Sequence, residues 1–529
     1  MKKLVALTSS LFAFAAACGD DGMPNNPDAG PGIDAAEDID APIDAPVTFT
    51  PPQAHSFQLS AAGHDRVMAA AAGPNGSFYV VGWRQAATQA ATPKHIIVGK
   101  LLATGMPDTT FGTQGFLNTN VVFTGADDEL DIATNMDGTI IVSATVAAAT
   151  VNPLDANDND IALIKITAAG ALDTTWGGGD GIVVHSFNES IAVTTTSGTP
   201  PVTTTTYPGR DGVRGLDIRQ NTDGHIFIHG YQRATGTYGA ALPRPDTDFL
   251  VARFTNAGAL DTTYGNGTGK FLLNIVNPTI TDPAQNPNSS ATPRGLIVLD
   301  QGAVLAGGYA NAGLSTGPQA VLYRLTPAGV LDTNFNASGD LPGVHHEVVL
   351  GIQTEVYNFA KHGMGASAEV VTGGYGRNTG TINDWISLRF NATTGVRSTT
   401  WGGTTDGKVL FDPTPANNEA GSNCRNAIAL PNGKTLLLGS SSRAVNSMNM
   451  NPEVQDAVFA VLDATGKLDT AYGTGIATYM LGDDGADAFW GGVTNSTNTA
   501  ALIVGWRGTK GTASATNNDD AYAVLLPIR

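Results

Sequence analysis

Asp155, Asn157, Asp158 and Asp160 fall in the run Asp155-Ala-Asn-Asp-Asn-Asp160, which sets oxygen ligands at near-alternate positions in the manner of a calcium loop. The run lacks the glycine turn and the distal glutamate that complete an EF-hand, so calcium is the weaker reading and turn capping the stronger. Asp160 also belongs to a repeated set with Asp248, Asp384, Asp456 and Asp520, and a position repeated around a fold is better explained by capping than by one metal site. In His345-His346-Glu347, strand geometry would put His345 and Glu347 on one side and His346 on the other, and two ligands are too few for a tight site. The chain has no Gly-x-Ser-x-Gly elbow, phosphate-binding Walker loop, zinc helix motif or paired cysteines, so no cofactor beyond that calcium candidate is predicted. Catalysis would need a site assembled from single residues of separate elements.

Those elements are fixed by a phrase repeated six times: Asp108-Thr-Thr-Phe-Gly112, Asp173-Thr-Thr-Trp-Gly177, Asp261-Thr-Thr-Tyr-Gly265, Asp332-Thr-Asn-Phe335, Ser398-Thr-Thr-Trp-Gly402 and Asp469-Thr-Ala-Tyr-Gly473. Successive starts are 65, 88, 71, 66 and 71 residues apart, longer than helical-pair repeats and suited to a propeller blade or small sheet. A strand-length apolar run precedes each phrase, as in Ile161-Ala-Leu-Ile-Lys-Ile166, and a second follows, as in Gly181-Ile-Val-Val-His-Ser-Phe187. Next comes a hairpin, carried by Pro74-Asn-Gly76, Met136-Asp-Gly138, Thr222-Asp-Gly224, Asp300-Gln-Gly302 and Pro431-Asn-Gly433, with looser forms at His362-Gly-Met-Gly365 and Asn495-Ser-Thr-Asn498. Seven hairpins predict an all-β, seven-bladed propeller of four-stranded antiparallel blades. We letter the strands A to D, with the hairpin joining B to C and the phrase joining D to A.

The second arm of each hairpin ends in a small-residue patch, as in Val81-Gly-Trp83, Thr372-Gly-Gly-Tyr375 and Val504-Gly-Trp506. The length of the phrase favours it as the crossover between blades, with A innermost and D at the rim; a first strand near Phe57 could instead pair with the last and seal the ring. Asp108, Asp173, Asp261, Asp332 and Asp469 are expected to cap their turns. Phe111, Trp176, Tyr264, Phe335, Trp401 and Tyr472 are expected to wedge between blades. Lys100, Lys165, Arg253, Arg324 and Arg389 recur in strand D, where an edge charge would oppose aggregation.

The unit Thr167-Ala-Ala-Gly-Ala-Leu-Asp-Thr-Thr-Trp-Gly-Gly-Gly-Asp-Gly181 resembles that of the delta-60 repeat family, and the resemblance extends in repeating form over residues 56–529. Asn336 and Ser398 depart from the pattern. The resemblance implies a propeller-like fold and carries no shared reaction.

Lys2 and Lys3 precede an apolar stretch from Leu4 to Ala17, which reads as a secretory signal too short to span a bilayer. Ala15-Ala16-Ala17-Cys18 resembles a bacterial lipobox with Ala15 where Leu is commoner, which would make Cys18 a lipidation site carrying enough acyl chains for stable anchoring. Gly19 rather than Asp after the cysteine points to the outer membrane or cell surface. The reading divides the chain into a lipoprotein signal peptide (1–17), an acidic Asp/Ala/Pro-rich disordered tether (18–50) and the propeller (51–529).

The formal net charge is −19, of which the tether contributes −8 and the signal +2, leaving −13 on the body. That balance argues against a nucleic-acid partner, which needs clustered Lys and Arg. Cys424 is left unpaired and is expected as a small buried residue. Loops on the A–B/C–D face vary widely in length, including the Thr-rich stretch 188–213, and variable loops on a rigid scaffold are where binding concentrates. The expected function is a monomeric, lipid-anchored binding or protein-interaction module of the cell envelope, not an enzyme, with an envelope protein or glycan as ligand. The alternatives are a propeller hydrolase or lyase acting on polysaccharide, and a purely structural envelope protein.

Overall fold

The computed structural model describes residues 49–529 apart from the stretches 58, 60–62, 88–91, 128, 136, 149–157, 197–201, 208, 220–222, 234–236, 239–241, 244–245, 276–289, 311–316, 379–382, 415–421, 443–454, 480, 482–485 and 510–517. Seven four-stranded antiparallel sheets form a β-propeller, and no helix among the described residues is long and apolar enough to cross a membrane. In blade 1 the strands run outward from the axis as Asp65–Ala72 (B), Phe78–Arg84 (C), Lys94–Leu101 (D) and Phe116–Phe123 (A). The other inner strands are Leu130–Thr134, Gly212–Ile218, Ala291–Val298, Gln353–His362, Asn423–Ala429 and Ala488–Thr494. Strands C and D are apolar on both sides because each blade is covered by its neighbours. Val80, Val81, Ile96 and Val98 of blade 1 are all buried.

The phase of the repeat differs from the expected one. The phrase joins D to A within one blade, strand B is innermost, and the crossover follows A, at residues 124–129 between blades 1 and 2. The reason is local. Asp261 Oδ1 accepts from the Thr263 amide (3.0 Å) and hydroxyl (2.6 Å), folding the phrase into a closed turn, and Phe254 bridges to Leu260 across it. Such a turn cannot span the roughly 14 Å from rim to axis, whereas six extended residues reach about 20 Å. The ring closes by the other route the sequence left open: Ala54–Phe57 pairs with Asn518–Pro527 as the outer strand of blade 7, with Phe57 opposite Ala521.

The phrase also joins blades. Phe111, Trp176, Tyr264, Phe335, Trp401 and Tyr472 are 0–5% exposed. Each of the first five rests on the turn glycine of the following blade, where a Cβ added to Gly170, Gly258, Gly329, Gly395 or Gly466 would come within 2.5–2.9 Å of the ring. Backbone bonds reinforce the seam, from Gly112 N to Ala169 O (3.1 Å) and from Gly402 N to Thr465 O (2.8 Å). Phe49 takes the corresponding place on Tyr472, with ring centroids 5.6 Å apart.

The strand-D cations are not edge charges, because strand A covers D. They pair with the aspartate of their own phrase: Lys100 with Asp108 (2.8 Å), Lys165 with Asp173 (3.4 Å), Arg253 with Asp261 (2.7 Å), and Arg324 with Asp332. In blade 5, where Ser398 replaces the aspartate, Arg389 pairs with Glu369 instead (2.6 Å).

Candidate binding site at the channel mouth

In six blades strand B carries a β-bulge against strand C, at Met68, Arg214, Arg294–Gly295, Tyr357, Arg425 and Trp490. A bulge pushes one backbone segment toward its partner, and the partner residue must then lack a side chain. A Cβ on Gly374 would lie 2.0 Å from Glu355 O, and one on Gly505 would lie 1.9 Å from Ala488 O. These are the glycines of the small-residue patches. Blade 2 has Ala144 at that position, and its strands pair Leu130 with Ala144 without a register shift.

The bulges aim one side chain at the axis in six blades, and Leu130 takes the same place in blade 2 without one, near the end where the A–B crossovers enter. Met68, Leu130, Arg214, Arg294, Tyr357, Arg425 and Trp490 all line one small cavity in the channel. Each stands five residues before the residue at which strand B enters its hairpin: Gly73, Asn135, Arg219, Leu299, His362, Leu430 and Asn495. Two aliphatic, two aromatic and three basic residues thus occupy a position that is equivalent in the repeat and different in chemistry.

Strand-C aromatics back the ring. Arg425 lies 4.7 Å from the Trp490 ring, 4.6 Å from Tyr357 and 5.4 Å from Tyr375. Arg294 lies 3.9 Å from Tyr357 and 5.4 Å from Tyr309, and donates to Tyr309 Oη (3.2 Å). Arg66 stacks on Trp506 at 4.2 Å, and Trp506 packs against Trp490 at 5.3 Å. Cation–π contact holds a guanidinium in place while its N–H edge stays available for other bonds. Arg214 pairs with Glu129 (3.0 Å), which also accepts from Tyr231 Oη (2.8 Å). Arg66 pairs with Asp127 and Asp519. Arg425 forms no ion pair with a described carboxylate, and its Nε is buried without a hydrogen-bond partner.

Beneath the ring, side chains tie adjacent inner strands together. Asp131 accepts from Ile132 N and, across the seam, from Leu216 N, both at 2.8 Å; Asp217 does the same with Ile218 N (2.8 Å) and Val298 N (2.7 Å). Burial pushes these carboxyls up, Asp131 to about 7 and Asp217 to about 6, against the pull of their amide donors. Asn358 continues the pattern in blade 5 by donating to Asn426 Oδ1 (3.0 Å). Asp131 and Asn358 also line the lower channel, a cavity of about 300 Å³.

On the A–B/C–D face a cleft of about 510 Å³ adjoins the ring, lined by Asn159, Arg210, Arg214, Tyr231, Thr247 and Ser290 among others. Arg214 lines both cleft and channel. Near it, Ile191–Thr196 and Val202–Tyr207 form a separate hairpin within the Thr-rich insertion.

The sequence-predicted residues lie elsewhere. Asp155 and Asn157 fall outside the described residues, as does Cys18. Asp158 accepts from the Ser190 amide (3.1 Å) and hydroxyl (2.6 Å), tying a crossover in place. Asp160 is buried near the start of its strand D. Asp108, Asp173, Asp261, Asp332 and Asp469 sit at the D–A turns, on the opposite face from the cleft. His345 and Glu347 pair on one side of their strand (3.1 Å), and His346 reaches Asp340 (3.0 Å) on the other. No three His, Cys, Asp or Glu side chains gather as a metal site among the described residues. Cys424 is fully buried, which pushes its thiol up to about 12. The three arginines and Trp490 went unread because their position diverges between repeats. Their constant offset from the hairpin was the available signal.

Among solved structures the chain is similar to the polysaccharide lyase Uly1 (10% identity, 89% of this chain and 91% of that chain, TM-score 0.41). It is similar to an ulvan lyase solved with a bound GlcA–Rha3S saccharide (11%, 90% and 93%, 0.41) and to Chaetomium thermophilum Sqt1 (11%, 90% and 98%, 0.34). Likeness at this level carries no argument about activity. No curated protein matches. Residues 302–335 match the model of a family described as a β-propeller domain of unknown function, DUF5122.

Proposed function

We propose that this propeller is a binding module of the bacterial cell envelope, built from delta-60-type repeats, exported and held by a lipid on Cys18, with its ligand engaged at the channel mouth and the A–B/C–D face. The observation that carries the reading is the ring position: seven equivalent residues, six of them presented by a β-bulge, differ in chemistry while the surrounding repeat stays uniform. A purely structural wheel has no use for three stacked arginines at its axis. The anchor rests on the Ala-Ala-Ala-Cys18 sequence, and a calcium site at 155–160 remains a minor part of the proposal.

The test is a binding screen of the mature chain carrying Cys18→Ser against envelope proteins and glycans, in parallel with the same chain lacking residues 191–207. Ser190 Oγ accepts from Gly209 N (3.1 Å), so the ends of that hairpin already meet and its removal leaves the blades intact. Weakened binding on deletion supports the face assignment, and unchanged binding overturns it. Cys18→Ser should also move the protein from membrane to soluble fraction.

A hydrolase or lyase acting on polysaccharide is the second reading, favoured by the convergence of Asp131 with Arg214, Arg294 and Arg425 from four blades. Against it, both oxygens of Asp131 are engaged by backbone amides that fix the blades. Depolymerisation abolished by Asp131→Asn with binding retained would establish it.

A further inference from the structure

Arg210 and Arg214 line the cleft, and Arg214, Arg294 and Arg425 line the channel cavity, so the two adjoin at Arg214 and set a path from the A–B/C–D face toward the axis. Four guanidinium groups converge there on a body whose net charge is −13. Glu129 compensates Arg214, while Arg425 is held by aromatic rings and by no described carboxylate. The other nearby acids are Asp131, whose two oxygens accept from Ile132 N and Leu216 N, and Glu355, whose Oε1 accepts from Gln353. A guanidinium locked on its faces presents its N–H edge in a fixed orientation, the geometry that takes a planar or tetrahedral oxyanion through paired hydrogen bonds.

The rest of the lining is not that of an apolar ligand. Asn159, Thr247, Ser290 and Thr292 bring amide and hydroxyl groups to the cleft, and Tyr231 stands beside them. Hydroxyl-rich walls with an aromatic platform suit a polyhydroxylated ring, and a cleft of about 510 Å³ is within the roughly 300–1,000 Å³ that holds a ligand of several rings. We infer that this path binds a linear anionic oligosaccharide, with one carboxylate or sulfate seated at Arg425 and Arg294 and the chain continuing past Arg214 toward Arg210. The inference deepens the binding-module reading and rests on it.

The experiment is calorimetric titration of the mature Cys18→Ser chain with a uronic-acid oligosaccharide, a sulfated oligosaccharide, a neutral oligosaccharide of equal length, and poly-glutamate. Binding is expected for one or both anionic sugars, weakening as salt rises because the contacts include screened surface charges. Arg425→Gln should weaken it about tenfold or more, the range for losing a hydrogen-bonded charge. Arg210→Gln, at an exposed position in the cleft wall, should weaken it severalfold. Lys467→Gln, in a D–A turn on the opposite face, should not. The carboxylate and sulfate arms separate the two sources of the oxyanion. Equal binding of the neutral sugar, or full affinity in both arginine variants, overturns the anionic assignment while leaving a binding module intact. Equal binding of poly-glutamate overturns the sugar, and silence from every probe overturns the inference, with the envelope-protein arm of the screen still deciding the broader reading.

Discussion

Single residues in this chain do two kinds of work, and their surroundings separate them. Asp261 closes a turn through Thr263 and holds Arg253, so both oxygens serve the blade. Asp261→Asn should keep the turn bond and lose the ion pair, costing under about 1 kcal/mol, whereas Asp261→Ala should lose both and cost about 1–2 kcal/mol in chemical denaturation. Ser398 shows the milder case in nature, since its hydroxyl still accepts from Thr400 N at 3.3 Å. Gly374 faces a stricter limit, its missing Cβ being 2.0 Å from the Glu355 carbonyl. Gly374→Ala should therefore cost about 1–3 kcal/mol and disturb the bulge that aims Tyr357; an unchanged denaturation midpoint would remove the bulge from the argument. Cys424, buried with its thiol raised to about 12, should resist alkylation in the native protein and react once it is unfolded. His229 is similarly enclosed: Nδ1 lies 3.0 Å from Gly295 O and Nε2 2.9 Å from Tyr323 Oη, so burial holds the ring neutral and it ties blades together.

At the scale of elements, the N-terminal strand matters out of proportion to its length. Ala54–Phe57 covers the outer edge of blade 7 and inserts Phe57 beside Phe116 of blade 1, with centroids 6.0 Å apart. Deleting residues 1–57 should expose strand Asn518–Pro527 as an open edge, lower the melting temperature by several degrees and promote self-association. A truncated chain as stable and monodisperse as the full one would show that closure adds little. The outermost strands were the hardest elements to place from sequence. The apolar runs showed that strands flank each phrase, but which strands share a sheet depended on whether the phrase was a turn or a crossover. The Asp-Thr-Thr chemistry that decides this was read as capping without its consequence for reach.

For the whole molecule, the wheel places carboxyls where no single blade would. Asp131, Asp217 and Asp211 are pushed up to about 7, 6 and 8 by burial between blades. In the unfolded chain each would titrate near 4, so between about pH 4 and 8 the folded state holds more protons and stability falls as pH rises. Their contribution is complete below about pH 4 and is lost as pH climbs through 6 to 8. Asp108, lowered to about 2 by Lys100 and Thr110, acts oppositely, but its contribution is constant above about pH 4 and does not mask the decline. Buried His229, held neutral in the fold, also acts oppositely and adds stability as pH rises toward about 6.5, so the melting temperature should fall between about pH 7 and 8. A flat or rising profile would show that these seam carboxyls stay ionised in the fold.

The sequence by itself determined the wheel: seven hairpins, a recurring turn and strand-length apolar runs leave each sheet with two faces that only neighbouring copies can cover. The buried wedge residues, from Phe111 to Tyr472, were also legible, because a structural role must recur wherever the structure recurs. Tertiary structure alone decided the phase of the blades, the partner of the first strand, and the meeting of Arg214, Arg294 and Arg425. Those arginines are 80 and 131 residues apart along the chain, in units otherwise alike. Repetition fixes what neighbouring blades must share, while closure around an axis brings together the residues in which they differ.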